Sequence, residues 1–139
     1  MKKKTVFLLQ GNKEINEELK EKFDATEEYE VVGTSVDAIS AISMIADKKP
    51  NFLITELVLS GYDGLSVIEK VSALKLSVKI IVLSAMRNED AVSNSVAAGA
   101  QYFMAKPYNF SLLLDRMKDL SERLEPAPKG TNEGLHKVS

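Results

Sequence analysis

The chain has 139 residues, of which 45% are hydrophobic and 27% are charged, and its formal net charge is −2. This length and composition are typical of one globular domain with a single core. The weak net charge gives no argument for binding nucleic acid or an anionic membrane surface. The absence of cysteine excludes disulfides, thiolate metal sites and thiol catalysis.

The amino-terminal stretch MKKKTVFLLQ has the charged-then-apolar order of a secretion signal. Its apolar run covers only residues 6–9, however, and is shorter than a signal core. No window of the sequence approaches the ~20 apolar residues that span a membrane. We therefore predict a cytoplasmic protein that does not enter the membrane.

Segments of two types alternate along the chain. One type is a short run of apolar and β-branched residues, such as KIIVLS, which is typical of a buried strand. The other type repeats its apolar residues every three or four positions, as an amphipathic helix does. In chain order we predict strand 4–10, helix 12–26, strand 30–36, helix 37–48, strand 51–57, helix 64–74, strand 78–84, helix 89–98, strand 100–105 and helix 109–124.

Polar residues stand where several predicted helices begin. Asn12, Asp37 and Asn109 are suitable N-caps, because their side-chain oxygens can accept hydrogen bonds from the free amides of the first turn. The apolar spacing of the second helix predicts four residues that face inward: Ile39, Ile42, Ile45 and Ala46.

Continuous apolar strands separated by helices indicate a parallel sheet that is covered on both faces. Five such strand–helix units fit an α/β, flavodoxin-like, doubly wound fold with strand order 2-1-3-4-5 and five helices. The functional crevice of this fold lies at the carboxyl ends of the strands. That edge is predicted to hold Gln10, Gly11, Glu56, Ser84 and Lys106.

Composition changes after the last predicted helix. Residues 125–139, EPAPKGTNEGLHKVS, contain two prolines, two glycines and no apolar periodicity. We predict one domain over residues 1–124, followed by a flexible tail or by a linker to an effector domain that this sequence does not contain.

Three segments carry a resemblance to a known family: GYDGLSVIEK at 61–70, VLSA at 82–85 and AAGAQYFMAKPY at 97–108. Together with the element order, they resemble the receiver domain of bacterial two-component response regulators over residues 3–124. The residues DGL, LSA and YF…KP are most similar to the receivers of the sporulation master regulators of spore-forming Firmicutes.

The resemblance implies signalling by phosphorylation of an aspartate. In the family, an aspartate at the end of the third strand accepts a phosphoryl group. Two acidic residues at the end of the first strand help to hold Mg²⁺. A hydroxyl after the fourth strand and a lysine after the fifth bind the phosphoryl oxygens. Ordering of these groups moves the face formed by helix four, strand five and helix five.

This sequence departs from the family at the residues that carry the chemistry. By the resemblance, Glu56 occupies the phospho-acceptor position, and Gln10 and Gly11 occupy the positions of the acidic pair. Ser84 and Lys106 retain the hydroxyl and the lysine.

Two further positions follow from the same resemblance. Phe103 occupies the position of a switch aromatic in the fifth strand and lacks the hydroxyl of the tyrosine that is often found there. Pro107 follows Lys106 where the family has a cis peptide bond, so a cis bond is expected here. Along the fifth strand, Tyr102 and Phe103 are predicted to alternate between the core and the surface.

These replacements change the charge of the predicted site. A standard receiver pocket holds three carboxylates and one lysine, whereas the corresponding positions here hold Glu56 and Lys106. A hard cation needs several oxygen ligands, with charged ones among them. Glu also reaches about 1.5 Å further than Asp, and a misplacement of that size can lower a rate about a hundredfold. We therefore predict no metal, no other cofactor, no catalytic residue and a metal-free cluster in which Glu56, Lys106 and Ser84 partly mimic phospho-aspartate.

The preferred interpretation is a non-enzymatic pseudo-receiver in phosphorelay-type signal transduction. It would act through protein contacts of the face formed by helix four, strand five and helix five. The expected partners are a histidine kinase, a phosphotransferase-like protein or another receiver, including a second copy of this chain. The resemblance to sporulation regulators implies control of an attached or partner DNA-binding transcription regulator, with no direct contact between this domain and nucleic acid.

Three alternatives stay open. The site could still accept a phosphoryl group at the strand-three carboxylate, which would form an acyl phosphate. The domain could instead bind a small molecule, although residues 10–13, QGNK, contain one glycine and no hydroxyl for a flavin phosphate. Glu56 could also be a rim carboxylate that pairs with Lys106 and has no signalling role.

Overall fold

A computed structural model of the chain describes residues 2–59, 63–86 and 88–122. Among these residues, no helix combines the length and the apolar character needed to cross a membrane. The predicted tail, residues 125–139, lies outside them. The elements are β1 (Lys4–Leu9), α1 (Lys13–Asp24), β2 (Tyr29–Ser35), α2 (Ala38–Lys48), β3 (Phe52–Thr55), α3 (Gly64–Ala73), β4 (Lys79–Ser84), α4 (Glu89–Ala98), β5 (Tyr102–Ala105) and α5 (Phe110–Glu122).

The five strands form one parallel sheet in the order β2-β1-β3-β4-β5, which confirms the predicted flavodoxin-like fold. Leu9 pairs with Thr55, and Thr55 pairs with Val82. Ser84 pairs with Ala105 at the end of the β4–β5 ladder. The residues that directly follow β1, β3 and β5 therefore meet the end of β4 at one edge of the sheet, beside the switch point.

Each of the five helices begins after a residue whose side chain accepts a hydrogen bond from a first-turn amide. Asn12, Asp37 and Asn109 do this at the starts of α1, α2 and α5, as predicted. Asp63 and Asn88 do the same for α3 and α4. Because these caps satisfy amides that the helix itself cannot, they determine where each helix begins.

Helix α2 buries only part of the predicted stripe. Ile45 is fully buried and Ile42 packs partly buried against the core, but Ile39 is 57% exposed. Ala38 and Ala41 take the inward positions instead. This helix carries two apolar stripes, and only its packing against β1, β2 and α3 decides which of them enters the core.

Strand β5 is buried on both faces, so the predicted alternation of Tyr102 and Phe103 is wrong. Phe103 is fully buried and Tyr102 is 4% exposed. The hydroxyl of Tyr102 accepts a hydrogen bond from Nε of Arg116, on α5, at 2.7 Å. A parallel sheet has helices on both faces, and even its edge strand is covered here.

Candidate functional site

Four predicted side chains meet at the carboxyl edge of the sheet. Gln10 follows β1, Glu56 follows β3, Ser84 ends β4 and Lys106 follows β5. Gln10 and Ser84 are fully buried, and Glu56 is 6% exposed. The amide of Lys106 donates to the Ser84 carbonyl at 2.8 Å, so the lysine leaves directly from the end of the sheet.

The Glu56 carboxylate is surrounded by donors. Its Oε2 accepts hydrogen bonds from the Leu57 amide at 2.7 Å and from the Ser84 hydroxyl. Its Oε1 accepts one from the Ala85 amide at 3.3 Å and lies 3.2 Å from Nζ of Lys106. Two backbone amides, one hydroxyl and one ammonium group therefore satisfy both carboxylate oxygens.

Opposing effects determine the pKa of Glu56. Burial raises this pKa, because the charged form loses its hydration. Hydrogen bonds from Ser84 and Leu57, together with the charge of Lys106, lower it and outweigh burial. The pKa of Glu56 therefore lies below its ordinary value, and the carboxylate is ionised at neutral pH.

Lys106 also contacts Gln10. Its Nζ donates to Oε1 of Gln10 at 2.8 Å, so the amide gives the lysine a neutral acceptor beside Glu56. Nε2 of Gln10 is buried and has no hydrogen-bond partner among the described residues. A buried donor of this kind costs about 1–3 kcal/mol. It also presents partial positive charge at a position where the family has a carboxylate.

Gly11, the second position of the family's acidic pair, is exposed and tightly enclosed on one side. A Cβ atom at Gly11 would lie 2.9 Å from the carbonyl oxygen of Val58, in the loop after β3. Any side chain there would require this backbone to move. Sequence reasoning assigned Gly11 only as a lost acid and missed its steric role.

The remaining predicted positions lie on β5 and directly after it. Phe103 is fully buried within the strand. The Lys106–Pro107 peptide bond is cis, which is the isomer that the resemblance implies. Sequence reasoning missed the Leu57 and Ala85 amides, because backbone groups leave no residue-type signal.

Carboxylates are scarce at this edge. Of the predicted pocket positions, Glu56 alone carries one. Within 2–59, 63–86 and 88–122, no three His, Cys, Asp or Glu side chains are grouped so that they could hold a metal ion. Both oxygens of Glu56 are already engaged by protein donors.

The fold and this polar edge define a doubly wound α/β domain whose crevice lies at the switch point. The family model described as "Response regulator receiver domain" matches residues 6–118. The chain belongs to this family, whose members are receiver domains of response regulators in two-component signalling.

Solved structures share the fold. The signal receiver domain of NarL from Mycobacterium tuberculosis matches with a TM-score of 0.83 and 20% identity, over 88% of this chain and 100% of that one. A protein described as a response regulator from Chloroflexus aurantiacus matches with a TM-score of 0.77 and 26% identity, over 88% and 100%. A chain of the CheX–CheY–beryllofluoride–Mg²⁺ complex from Borrelia burgdorferi matches with a TM-score of 0.80 and 17% identity, over 86% and 90%.

Proposed function

We propose that this domain is a pseudo-receiver, which holds its switch pocket in one arrangement without phosphorylation and without Mg²⁺. The observation that carries this proposal is the set of donors around Glu56. Ser84 and Lys106, which by the family resemblance would bind phosphoryl oxygens, are both engaged by the Glu56 carboxylate. In this proposal, the longer side chain of Glu supplies to Ser84 and Lys106 the anion that the phosphoryl group of phospho-aspartate would otherwise supply.

The pocket residues do not fit a Mg²⁺ ion. Mg²⁺ requires near-octahedral oxygen coordination, and it usually keeps several waters and binds through one or two protein carboxylates. The oxygens of Glu56 are occupied by an ammonium group, a hydroxyl and two amides. Oε1 of Gln10 accepts a hydrogen bond from Lys106, and its Nε2, a donor with no partner among the described residues, repels a cation. Lys106, the lysine that the family resemblance also places here, supplies the positive charge beside Glu56 at 3.2 Å.

Glu56 is also poorly suited to accept a phosphoryl group. A nucleophilic carboxylate oxygen needs a free lone pair aimed at phosphorus, yet both oxygens are held by donors. The lowered pKa of Glu56 makes the carboxylate a weaker nucleophile. Without a metal, the transition state loses most of its electrostatic stabilisation. The domain is therefore proposed to catalyse no reaction.

With a fixed pocket, the domain is proposed to signal through protein contacts. The face formed by α4, β5 and α5 adjoins the pocket, because Ser84 precedes α4 and Lys106 follows β5. A histidine kinase, a phosphotransferase-like protein, another receiver or a second copy of this chain would bind there. The CheX–CheY complex is a precedent for a protein partner on a chain of this fold.

The proposed output is control of transcription, in the cytoplasm, through an attached or partner DNA-binding regulator. Its support is the resemblance of DGL, LSA and YF…KP to the receivers of sporulation regulators. This domain itself is proposed to make no contact with DNA.

Phosphodonor treatment tests the proposal. The protein is incubated with acetyl phosphate or beryllofluoride and Mg²⁺, and its intact mass and amide NMR spectrum are recorded. We expect no added phosphate and no Mg²⁺-dependent change in the spectrum. A mass gain of one phosphate in the wild-type protein would establish the alternative, a receiver that is still phosphorylated.

The matched positive control restores acids without changing Gly11. We expect Gln10→Asp combined with Glu56→Asp to gain a spectral change that depends on Mg²⁺ and beryllofluoride. Adding Gly11→Asp is expected to destabilise this variant, because the new Cβ would meet the Val58 carbonyl at 2.9 Å. In a variant with all three acids restored, a loss of function could therefore come either from the altered chemistry or from the backbone strain at residue 11.

A further inference from the structure

We propose that the amino edge of the sheet holds a second site, which binds a small, doubly charged oxyanion of the phosphate type. This edge is opposite the Glu56 pocket. A cavity of about 140 Å³ lies between the starts of β1, β3 and β4 and the last turn of α5. A volume of this kind needs only about 10–15 Å³ to hold one water molecule, so there is room for a tetrahedral anion. The lining residues are Lys4, Asn51, Phe52, Ser77, Lys79 and Ser121.

Strand register places the two lysines on the same face of the sheet. Val6 pairs with Phe52, and Phe52 pairs with Lys79, so these three side chains point the same way. Lys4 lies two residues before Val6 on β1 and shares that face. The single strand β3 separates β1 from β4, which puts their backbones about 10 Å apart. Two long lysine side chains can close on one anion across that gap.

The side chains that line the cavity offer positive charge and hydrogen-bond donors, and none of them is negatively charged. No carboxylate lines it, and within the described ranges neither Lys4 nor Lys79 pairs with one. The side-chain oxygen of Asn51 already accepts from the Thr5 amide at 2.8 Å, which leaves its amino group as a donor. Oγ of Ser121 is buried and lacks a partner in the part of the chain that the structure describes. Cations and neutral donors around one cavity are the complement of an oxyanion.

A purely structural role for the lysines makes a different prediction. The carboxyl end of a helix carries partial negative charge, and lysines close to it stabilise the helix. In that case, removing the lysines would lower stability, and anions would have no saturable effect. Anion binding can therefore be separated from helix stabilisation by experiment.

NMR titration of the whole chain tests the site. Inorganic phosphate and O-phosphoserine are each added at constant ionic strength, with chloride as the comparison. We expect saturable shifts of the Asn51, Ser77 and Lys79 amides that chloride does not produce. Tighter binding of phosphate would identify a free anion as the ligand, and tighter binding of phosphoserine would identify a phosphorylated protein. Both results support the site.

Paired variants separate the site from general charge effects. Lys4→Met with Lys79→Met is expected to weaken phosphate binding about a hundredfold, because each lost charged hydrogen bond accounts for about tenfold. Lys13→Met with Lys118→Met makes the same change in net charge at residues that do not line the cavity. This control is expected to bind phosphate as the wild type does.

Two results would overturn the site. They are the absence of saturable shifts in the wild type and an equal loss of binding in the control pair. Ser121→Ala provides a second variant that is expected to keep the fold, because its hydroxyl has no described partner to lose. It is expected to weaken phosphate binding without lowering the unfolding midpoint, and unchanged binding would contradict its assigned role.

Discussion

Glu56 is both buried and ionised, a combination that depends on the donors around it. A buried charge is unfavourable unless it is paired and hydrogen bonded. Leu57 supplies an amide from the β3 end, Ser84 and Ala85 supply donors from the β4 end, and Lys106 supplies its charge from the β5 end. One carboxylate therefore ties three strand ends together.

Glu56→Gln removes this charge and keeps the shape of the side chain. Because the pKa of Glu56 is lowered in the folded state, its ionised form stabilises the fold above the ordinary value of 4.5. That contribution is lost as the pH falls through the folded-state pKa. We expect the variant to be less stable than the wild type at neutral pH by about 1–3 kcal/mol. The difference in free energy of unfolding between the wild type and the variant should become smaller below about pH 4.5. Urea unfolding at a series of pH values measures it.

A surface carboxylate provides the control for this pH dependence. Glu18 is exposed on α1 and appears in no described ion pair. Glu18→Gln is expected to change the free energy of unfolding by no more than about 0.5 kcal/mol, because it removes no described ion pair. If the stability difference between the wild type and Glu56→Gln stays constant with pH, or increases on acidification, the ionised state assigned to Glu56 is contradicted.

Among the elements, α3 begins directly against the site. The amide of Gly64 donates to the Leu57 carbonyl at 2.7 Å. A Cβ atom at Gly64 would overlap the Glu56 carbonyl oxygen and lie 2.6 Å from Cα of Leu57. There is no room for a side chain at this contact, so the start of the helix and the position of Glu56 are coupled.

Gly64→Ala is expected to destabilise the domain, although alanine favours helices by about 1 kcal/mol over glycine. Overpacking against backbone atoms that cannot turn away costs about 1–3 kcal/mol. Ser66→Ala, in the same first turn, serves as the control, because it keeps the hydrogen bond from the backbone amide of residue 66 to the Asp63 side chain. Chemical denaturation measures the stability of both variants. A Gly64→Ala protein as stable as the control would contradict this expectation, because it would show that the backbone after β3 can move to admit a Cβ atom.

Over the whole molecule, the helices beside β5 are anchored unequally. The residues buried by α5 are Leu113, Met117 and Leu120, whereas those buried by α4 are Ala91 and Ser95. Small side chains remove less apolar surface from water and so hold a helix less firmly. The face proposed for partner binding therefore combines a firmly packed helix with a loosely packed one.

Hydrogen exchange tests this difference. We expect α4 amides to exchange through local opening, at least about tenfold faster than α5 amides at matched intrinsic rates. Exchange of the wild-type chain, followed by mass spectrometry, measures both helices in the same sample. Equal protection of α4 and α5 would show that the two helices open only together, with the rest of the domain.

The fold could be predicted because its signals are local. Apolar runs and helical spacing gave every strand and helix, and Asn12 and Asp37 marked helix starts by their own chemistry. The prediction failed where a choice depended on packing. Ile39 was placed inward although Ala38 is buried, because the apolar spacing of α2 allows both stripes and only the neighbouring elements distinguish them.

The sequence by itself determined the order of the elements and the charges at the carboxyl edge, including the single acid Glu56 among the predicted pocket positions. Only the tertiary structure decided that Lys106 contacts both Glu56 and Gln10, and that no side chain fits at Gly11 without backbone movement. Residue types and periodicity record what each segment buries. Distances between groups as far apart in the chain as Gln10 and Lys106 depend on strand register and loop packing, and these are properties of the assembled sheet.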